Sequence, residues 1–446
     1  MKKLLAIILA VTLLITAAGC SSSSSSNSSN NSSTASSSSG TSSPDASADT
    51  VKSKPITINF WNGFTGPDGE ILTEYVDKFN ETNPYGITIE MDINAQFLQK
   101  IAAAFAGGQA PDLILAPSSF KDTYPDYLAD MNEIFTATSL KKEDFSGDYI
   151  ENCSVGSKLF ALPYQVTGRY MYWNKDLFKT AGLDPEKGPA TYDEWAQFAS
   201  KITNKDKNIY GSGVPYSQVF TTVHILQRMG GLFIDYDNNK KLTPRFKDNK
   251  GYAKFLNWLG GMVKSKDNPL EKDTDSMMKA GQIGITVSGA FLSPALDAAG
   301  INYGVAQLPY DEAGAMNPCS IAGLAVTSSA SPEAKQAAFK FIEWWFKGDK
   351  NTETSGILNW SLTNGYPSFY TPAINDAKYK ASPKLAAMTC TDANASSTYL
   401  APKEFTKTFE LANEVIENMI ESVITSGKDV NKALDDAQTK AESYLK

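Results

Sequence analysis

Strand and helix periodicities alternate along the first part of the folded chain, and this alternation restricts the possible folds more than any other feature. Ile56, Ile58 and Phe60 alternate with polar residues, which is typical of a half-buried strand. Apolar residues at helical spacing follow over residues 71–79, and the alternation returns over residues 87–93. Because successive parallel strands need right-handed crossovers, the pattern predicts an α/β fold with a mostly parallel sheet.

The same pattern continues along the rest of the chain. The segment from Thr65 to Asp68 offers a capping side chain, a proline and an acid at the start of the first helix. Thr191 and Glu194 fit a capping box. Further predicted elements are a helix over 97–106, strands over 112–115, 283–287 and 302–308, a helix from 331, and two helices in 403–446 separated at Ser426-Gly427.

The first nineteen residues have the composition of a secretory signal peptide. Lys2 and Lys3 precede an apolar stretch over residues 4–15, which is too short for a comfortable membrane span. Cys20 directly follows Ala17-Ala18-Gly19 and resembles a lipobox, in which the cysteine is acylated, for example with palmitate, and becomes the new N-terminus. The alternative is an ordinary signal peptide beside an unrelated cysteine.

A polar, low-complexity segment follows Cys20. Residues 21–50 consist mainly of Ser, Asn, Thr, Ala and Gly and show no apolar periodicity. Such a segment buries too little surface to offset its ordering entropy, so we predict a flexible linker over residues 20–54. A coil of this length reaches roughly 30 Å, which keeps the folded part near the membrane surface.

Size and charge restrict the remaining chain from residue 55 to 446. It is long enough for two packed lobes rather than one. Removal of Lys2 and Lys3 changes the formal net charge from −8 to −10, and the chain has no basic cluster, so nucleic acid is an unsuitable partner. Cys153, Cys319 and Cys390 are widely spaced and predicted to be buried small residues, although one disulfide stays open.

Signals of enzymatic chemistry are scarce in this sequence. His224 is the one histidine, and it lies in a predicted helix where a packed side chain is the simpler interpretation. No zinc-ligand spacing, phosphate-binding loop or dinucleotide-binding glycine pattern occurs. A pair of carboxylates acting as a secreted glycosidase remains an alternative, because 49 acidic residues are available.

Uncharged polar residues follow several of the predicted strands. In open α/β sheets, ligands bind beyond the carboxyl ends of the strands. Amides and hydroxyls both donate and accept hydrogen bonds, as sugar hydroxyls do, and an aromatic face packs on a pyranose ring. The pattern therefore predicts a site for a neutral polyol. The residues are Asn62, Phe64, Asn94, Ser118, Ser119, Ser288 and Gly289.

Two aromatic residues stand apart from those expected in the core. Trp360 and Tyr366 lie in a segment containing Asn and Gly, residues 359–367, which we predict to be a loop between helical regions. Binding residues concentrate on loops that a rigid scaffold supports. We therefore predict that both rings contact the ligand.

The order of several short segments resembles that of the family 1 extracellular solute-binding proteins, which serve ATP-driven (ABC) sugar importers. The likeness covers nearly everything after the linker, and it is similar in particular to the glycerol-3-phosphate-binding type. The segments are Phe60-Trp61-Asn62, Ala110-Pro111-Asp112-Leu113, Leu162-Pro163-Tyr164, Tyr172-Trp173-Asn174-Lys175-Asp176-Leu177-Phe178, Ala181-Gly182-Leu183-Asp184-Pro185, Asn302-Tyr303-Gly304-Val305 and Leu308-Pro309-Tyr310.

The resemblance implies a ligand cleft and one departure within it. Asn413 stands where the glycerol-3-phosphate-binding type has a phosphate-gripping arginine, and the glutamate that some relatives place near Ser118 is missing. A buried phosphate without a cationic partner is costly, so we predict a neutral sugar, oligosaccharide or polyol, with glycerol 3-phosphate or a related phosphodiester as the alternative. The implied cleft residues are Asn62, Asn94, Ser118, Phe220, Ser288, Gly323 and Tyr366, and Gln165 and Asn413 complete the predicted set.

The resemblance also implies a two-lobed, hinged architecture. We predict that residues 55–163 and 293–350 form lobe 1, and that residues 164–292 and 351–446 form lobe 2. The lobes close around the ligand without a chemical step or a cofactor, and the protein, a monomer lipid-anchored at the extracellular face of the cell membrane, passes its cargo to the permease. A lipoprotein that binds a protein partner, as an adhesin or sensor does, is a further alternative.

Overall fold

Two main β-sheets organise the part of the chain that the computed structural model describes, residues 54–146, 149–247, 249–310, 320–389, 405, 407 and 410–445. The first sheet has five strands, and the three that come first in the chain run parallel. Its fourth strand is antiparallel to both neighbours. In spatial order the strands are Ile87–Ile93, Ile56–Asn62, Leu113–Pro117, Ser320–Val326 and Leu162–Thr167.

The second sheet has four strands and is mainly antiparallel, so the predicted mostly parallel sheet is wrong for this part of the chain. Its strand Tyr170–Asn174 is antiparallel to both neighbours, whereas Ile283–Ser288 is parallel to Tyr210–Gly213. The spatial order is Tyr303–Gln307, Tyr170–Asn174, Ile283–Ser288 and Tyr210–Gly213. Two small antiparallel pairs lie outside the sheets, Ser154–Val155 with Lys158–Leu159 and Ile234–Tyr236 with Leu242–Pro244.

Helices surround both sheets. The longer α-helices are Pro67–Thr82, Phe97–Gly107, Tyr192–Ile202, Val219–Arg228, Lys250–Ser265, Pro332–Lys347, Gly356–Asn364, Glu417–Ile424 and Val430–Ser443. The shorter ones are Phe120–Thr123, Ile134–Ala137, Tyr149–Asn152, Lys175–Thr180, Thr274–Lys279, Leu292–Ala298, Thr371–Ile374, Ala377–Lys380 and Pro383–Met388. Pro125–Tyr127, Lys142–Asp144 and Lys205–Lys207 are 3₁₀ turns, and Leu411–Ile416 is a π-helix. Within the described ranges no helix combines the length and hydropathy needed to cross a bilayer.

The helix starts confirm one predicted cap and correct another. Thr191 Oγ1 accepts a hydrogen bond from the Glu194 amide at 3.1 Å, and Glu194 Oε2 accepts one from the Ala190 amide at 2.7 Å, so the capping box is confirmed. The helix Pro67–Thr82 instead takes Gly66 as its N-cap, without a side-chain hydrogen bond. The predicted cap at Thr65 is therefore wrong, because the chain turns one residue later.

Alternate residues of the second sheet face different cores. Tyr170 and Tyr172 join a large core that begins under the first sheet, around residues such as Phe60. Met171 and Trp173 point the other way, into a separate core formed mainly by helices. This period of two is that of a strand buried on both faces.

A connection of two residues joins the two sheets. Thr167 ends the last strand of the first sheet and Tyr170 begins the second strand of the other, with only Gly168 and Arg169 between them. A second connection leaves Gln307, but residues 311–319 lie outside the described part. The limits of the two lobes given in the sequence analysis therefore remain a prediction.

The predictions for the cysteines and the N-terminus are covered only in part. Cys153 is buried with a free thiol, and burial raises the pKa of that thiol to about 12. Its prediction as a buried small residue is confirmed. Cys20, Cys319 and Cys390, together with the signal peptide and nearly all of the linker, lie outside the described residues.

Candidate ligand-binding site

The carboxyl ends of the parallel strands meet at one edge of the first sheet. Asn62 is the last residue of its strand, and its carbonyl accepts a hydrogen bond from the Asn94 amide at 2.9 Å. The Ser118 amide donates to the Ile321 carbonyl at 2.9 Å, which holds the end of the third strand against the fourth. The structure thus brings these three predicted residues to one edge.

The corresponding edge of the second sheet lies next to it along the chain. Ser288 is the last residue of Ile283–Ser288 and pairs with Tyr170. Because only Gly168 and Arg169 separate Tyr170 from Thr167, the two edges are at most about 11 Å apart at this point. We call the two edges and this connection the inter-sheet edge. Its predicted residues come from both sheets.

Three stacked rings lie beside Asn62. The Trp360 ring stacks on Phe64 at 5.8 Å between centroids and on Tyr366 at 6.1 Å, with interplanar angles of 21° and 15°. Tyr164 contacts Trp360 edge-on at 5.1 Å. Three of the four predicted aromatic residues therefore form one cluster, which we call the ring stack (Phe64, Trp360 and Tyr366).

The loop predicted around Trp360 is wrong. Residues Gly356–Asn364 form a helix, which Ser355 caps and Gly365 ends at a φ of +75°. Trp360 is 1% exposed and therefore belongs to the core, whereas Tyr366 lies in the following loop and is half-buried. The Asn and Gly residues of the segment mark the end of a helix rather than a long loop.

Several buried hydrogen-bond donors near the ring stack have no acceptor among the described residues. Asn62 is fully buried, and its Oδ1 accepts a hydrogen bond from the Phe64 amide at 3.0 Å. Its Nδ2, the Tyr164 hydroxyl and Trp360 Nε1 donate to none of the residues that the structure describes. An unsatisfied buried donor costs about 1–3 kcal/mol, so such groups are suited to a partner from outside the chain.

Gln165 links the first sheet to the ring stack. It is 7% exposed, and its side chain acts on the Tyr366 hydroxyl, whose pKa it lowers. Burial, together with the nearby Asp68, raises the pKa of Tyr366 above its ordinary value. The phenol therefore stays protonated at neutral pH and can serve as both donor and acceptor.

Arg169 is a charged group at the inter-sheet edge that our sequence reasoning missed. Its Nε donates to Thr221 Oγ1 at 3.1 Å and its Nη1 donates to the Gly168 carbonyl at 3.2 Å. Burial lowers the pKa of the guanidinium, although Asp275 opposes that effect. The sequence does contain a signal for it: the chain has only three arginines beside many lysines, so each arginine is a candidate for a specific role.

Asp275 is the second charged group that sequence reasoning missed. Ser288 Oγ donates a hydrogen bond to Asp275 Oδ2 at 2.8 Å. Burial raises the pKa of this carboxyl, while the Ser288 hydrogen bond and Arg169 act in the opposite direction. The predicted ligand residue Ser288 therefore positions a carboxylate.

Phe220 lies on the helix Val219–Arg228 with its side chain 48% exposed, although the helix is otherwise buried. Its neighbour Thr221 hydrogen-bonds Arg169, which places Phe220 beside the inter-sheet edge.

His224 lies on the same helix and is 3% exposed. Burial, and to a smaller extent the charge of Arg169, holds its pKa well below the ordinary value. The structure thus makes His224 a buried neutral side chain, as the sequence favoured.

The two predicted glycines are explained by close packing. A Cβ on Gly289 would lie 2.2 Å from the Phe291 ring, and one on Gly323 would lie 2.7 Å from Ala161 Cβ. Gly323 pairs with Ala116 and Pro163 inside the first sheet. A role of either glycine in binding ligand remains a prediction.

The remaining predicted residues are more exposed. Asn94 Oδ1 accepts a hydrogen bond from the Gln96 amide at 2.8 Å, Ser118 is half-buried and Ser119 is exposed. Asn413 lies in the π-helix Leu411–Ile416, which contacts the helix that carries Phe220. Single π turns often occur at functional sites. Among the described residues, no group of three or more His, Cys, Asp or Glu side chains could hold a metal ion.

Known proteins are similar to this chain in sequence and in structure. The sn-glycerol-3-phosphate-binding periplasmic protein UgpB of Escherichia coli (strain K12) is 25% identical over 429 residues, covering 87% of this chain and 92% of its own length. An ABC transporter solute-binding protein from Thermotoga lettingae TMO, bound with alpha-D-tagatose, has a TM-score of 0.70 at 22% identity over 87% of this chain and 100% of that chain. UgpB from Mycobacterium tuberculosis in complex with glycerophosphocholine has a TM-score of 0.73 at 20% identity, over 88% and 98%.

These similarities decide the fold and the family. The structural likeness confirms the predicted α/β fold of the two-lobed binding-protein type. The model of the bacterial extracellular solute-binding proteins matches residues 65–348, more than half of the chain, which confirms the resemblance seen in the sequence. The chain belongs to the family of bacterial extracellular solute-binding proteins.

Proposed function

We propose that this protein captures a neutral sugar, oligosaccharide or polyol at the inter-sheet edge and delivers it to the permease of an ABC importer. The observation that carries the proposal is the meeting of two strand-end edges over Gly168 and Arg169, with amides, hydroxyls and the ring stack around them. Such groups match the alternating polar edges and apolar faces of a sugar. A structural relative was solved with alpha-D-tagatose, which supports the same ligand class.

Charge favours a neutral ligand over a phosphate ester. The Arg169 guanidinium interacts with Asp275, and Asp68 acts on both Tyr164 and Tyr366. Asp275 thus compensates the Arg169 charge, and Asp68 adds negative charge near the ring stack, so Arg169 offers a phosphate little uncompensated positive charge. Asn413 supplies no charge in place of the missing arginine.

Glycerol 3-phosphate or a related phosphodiester is the second candidate. Sequence similarity to UgpB of Escherichia coli and the glycerophosphocholine complex of the Mycobacterium tuberculosis protein favour it. Arg169 is the side chain that would meet the phosphate in that case. The Asp275 carboxylate would accept a hydrogen bond from a sugar hydroxyl but would repel a phosphate. The two candidate ligands therefore predict opposite effects of removing its charge.

Binding by hinge closure gives the protein its mechanism. An open form takes the ligand on one sheet edge, and the second edge then closes over it. We place the pivot at Gly168 and Arg169 and assign each lobe to one sheet. Relative to the predicted limits, residues 164–167 then move to lobe 1 and the strand Tyr303–Gln307 moves to lobe 2. A micromolar dissociation constant corresponds to about −8 kcal/mol, which a few desolvated hydrogen bonds and a stacked ring supply.

The attachment to the membrane is also part of the proposal. Acylation of Cys20 and the Ser-rich linker hold a monomeric binding protein at the extracellular face of the cell membrane, close to the permease. The signal-like residues before Cys20 support this arrangement. Metabolic labelling with an alkyne fatty acid tests it, and labelling that persists in a Cys20→Ala variant contradicts it.

We further propose that the protein performs no catalysis, as befits a binding protein. Incubation with a glycan panel followed by mass spectrometry tests this, and hydrolysed product would establish the glycosidase alternative. A lipoprotein for a protein partner differs in that it would not become more compact with sugar. Small-angle scattering with and without sugar separates that alternative.

A thermal-shift screen over monosaccharides, oligosaccharides and polyols tests the ligand class. A ligand that binds only the folded state raises the melting temperature, and isothermal titration then measures its affinity. Glycerol 3-phosphate and glycerophosphocholine serve as anionic and zwitterionic comparisons. A shift with these phosphates and with no sugar overturns the proposal in favour of the second candidate.

A further inference from the structure

Arg169 and Asp275 are brought together by the strand pairing at the inter-sheet edge. Ser288 is the partner of Tyr170, the residue after Arg169, and Ser288 Oγ donates to Asp275 Oδ2 at 2.8 Å. The guanidinium and the carboxylate interact electrostatically. Arg169 belongs to neither sheet, so the pair lies where the two sheets are joined.

Both side chains keep hydrogen-bonding capacity after their contacts within the protein. Arg169 uses Nε for Thr221 and Nη1 for the Gly168 carbonyl, while Nη2 donates to no residue in the described ranges. Asp275 uses Oδ2 for Ser288, and its Oδ1 accepts from no described residue. One planar donor and one carboxylate acceptor therefore remain available at the inter-sheet edge.

The pair is also connected to the ring stack. The Arg169 charge acts on the Tyr366 phenol, whose ring stacks on Trp360. A sugar whose apolar face packs on Tyr366 would therefore have its hydroxyls within electrostatic reach of the guanidinium. Ring packing and hydroxyl recognition are thereby combined in one place.

The chemistry of such a pair matches neighbouring hydroxyl groups. A hydroxyl accepts from the guanidinium and donates to the carboxylate, and two adjacent hydroxyls can do both at once. The two charges compensate each other, so a neutral diol is bound without an uncompensated charge. Asp275 repels an anion and Arg169 repels a cation, which gives selectivity against both.

We propose that Arg169 and Asp275 form a donor–acceptor pair that binds two adjacent hydroxyls of the ligand and sets the specificity of the site for neutral polyols. This inference rests on the proposed function for its ligand class. Neither residue was among those that the sequence indicated, and Ser288 acts as the residue that positions Asp275.

The first arm of the test uses neutral sugars. D-tagatose, maltose and maltotetraose are titrated into the wild type, and the tightest of these is compared with its monodeoxy analogues. Arg169→Gln and Asp275→Asn are each expected to weaken binding about 10- to 100-fold, as loss of a charged hydrogen bond does. One deoxy analogue should bind the wild type more weakly than the parent sugar by the same factor. The variant, which has already lost that hydrogen bond, should bind this analogue and the parent sugar with nearly equal affinity. If the losses in binding free energy from the substitution and from the missing hydroxyl simply add, the proposal is overturned.

The second arm needs no sugar and uses sn-glycerol 3-phosphate. Removal of the Asp275 charge leaves Arg169 uncompensated, so Asp275→Asn should gain a thermal shift with this anion that the wild type lacks. The double variant Arg169→Gln/Asp275→Asn should lose the gain. If the single variant gains nothing, the pair does not set selectivity.

Matched controls separate this role from a structural one. Asp273→Asn removes a charge at the N-cap of the same helix while keeping the cap, since Asn caps as well as Asp. Arg245→Gln removes an arginine that hydrogen-bonds the Tyr236 carbonyl. Arg245→Gln should bind as the wild type does, and Asp273→Asn, whose charge also acts on Asp275, should change affinity far less than Asp275→Asn does. If no sugar shifts the wild type, the proposed ligand class fails, and the phosphate arm still decides whether the pair controls selectivity.

Discussion

Replacement of Trp360 by alanine tests whether the ring stack is part of the core. The side chain is 1% exposed and stacks on Phe64 and Tyr366, with further edge contacts to Tyr164 and Trp345. A buried tryptophan covers about 150–250 Å², which at about 25 cal/mol per Å² amounts to about 4–6 kcal/mol. Measured losses for such truncations are about 3–5 kcal/mol.

The expected shift in melting temperature follows from the size of the folded part. Unfolding entropy is about 2.1 cal/mol/K per residue, so about 390 residues give about 0.8 kcal/mol/K. Trp360→Ala should therefore lower the melting temperature of the ligand-free protein by about 4–6 °C, measured by differential scanning calorimetry. Trp360→Phe keeps a ring and should lose less than half of that.

Tyr366→Ala is the matched comparison, because its ring is half-buried and lies at one end of the stack, next to Trp360. It should change ligand-free stability by less than half as much as Trp360→Ala while abolishing sugar binding. A melting temperature of Trp360→Ala within 1 °C of the wild type would refute the core assignment, as would an equal loss for Tyr366→Ala.

Three further predictions concern packing and pH. Gly211→Ala should lower the free energy of unfolding, measured in urea, by about 3 kcal/mol or more, because the added Cβ would lie 1.9 Å from the Ala199 carbonyl oxygen. Gly261→Ala is the control: it lies in a helix, its Cβ would meet nothing within 4 Å, and it should raise the free energy of unfolding by about 0.5–1 kcal/mol. Burial lowers the pKa of His224, so stability is full above the ordinary pKa of 6.5 and falls as the pH drops below it; His224→Leu should flatten that part of the stability profile, and an unchanged profile contradicts the argument. Burial raises the pKa of Asp275 above the ordinary value of 3.8, so stability is full below pH 3.8 and falls as the pH rises through the raised pKa. Asp275→Asn should therefore be more stable than the wild type at pH 7, with a difference that shrinks towards pH 3.8; a difference that grows on acidification would exclude the stated sign.

Local patterns in the sequence were sufficient to predict the elements and one edge of the site. Ile56, Ile58 and Phe60 alternate because one side of their strand faces the core, and that signal is carried within a few residues. Asn62 and Ser288 could be found because each lies at the end of a predicted strand, the first alternating and the second continuously apolar. The family resemblance then placed both on one site.

Contacts between distant segments could not be read in this way. The segment around Trp360 has the Asn and Gly content of a loop, yet Ser355 and Gly365 make it a capped helix that packs on another helix. Arg169 and Asp275 are 106 positions apart, and only the pairing of Tyr170 with Ser288 brings them together. The π-helix around Asn413 has no sequence signature that distinguishes it from an ordinary turn of helix.

The shortness of the Gly168–Arg169 connection gives the site two unequal ends. In a rotation centred on those residues, a group's displacement grows with its distance from them. Asn94 follows an edge strand four strands away from the one that ends at Thr167, or about 19 Å. An elongated cargo would therefore be gripped near Arg169 throughout the movement, while its far end gains contacts only as the protein shuts. Affinity should then depend on the near end for docking and on the far end for residence time.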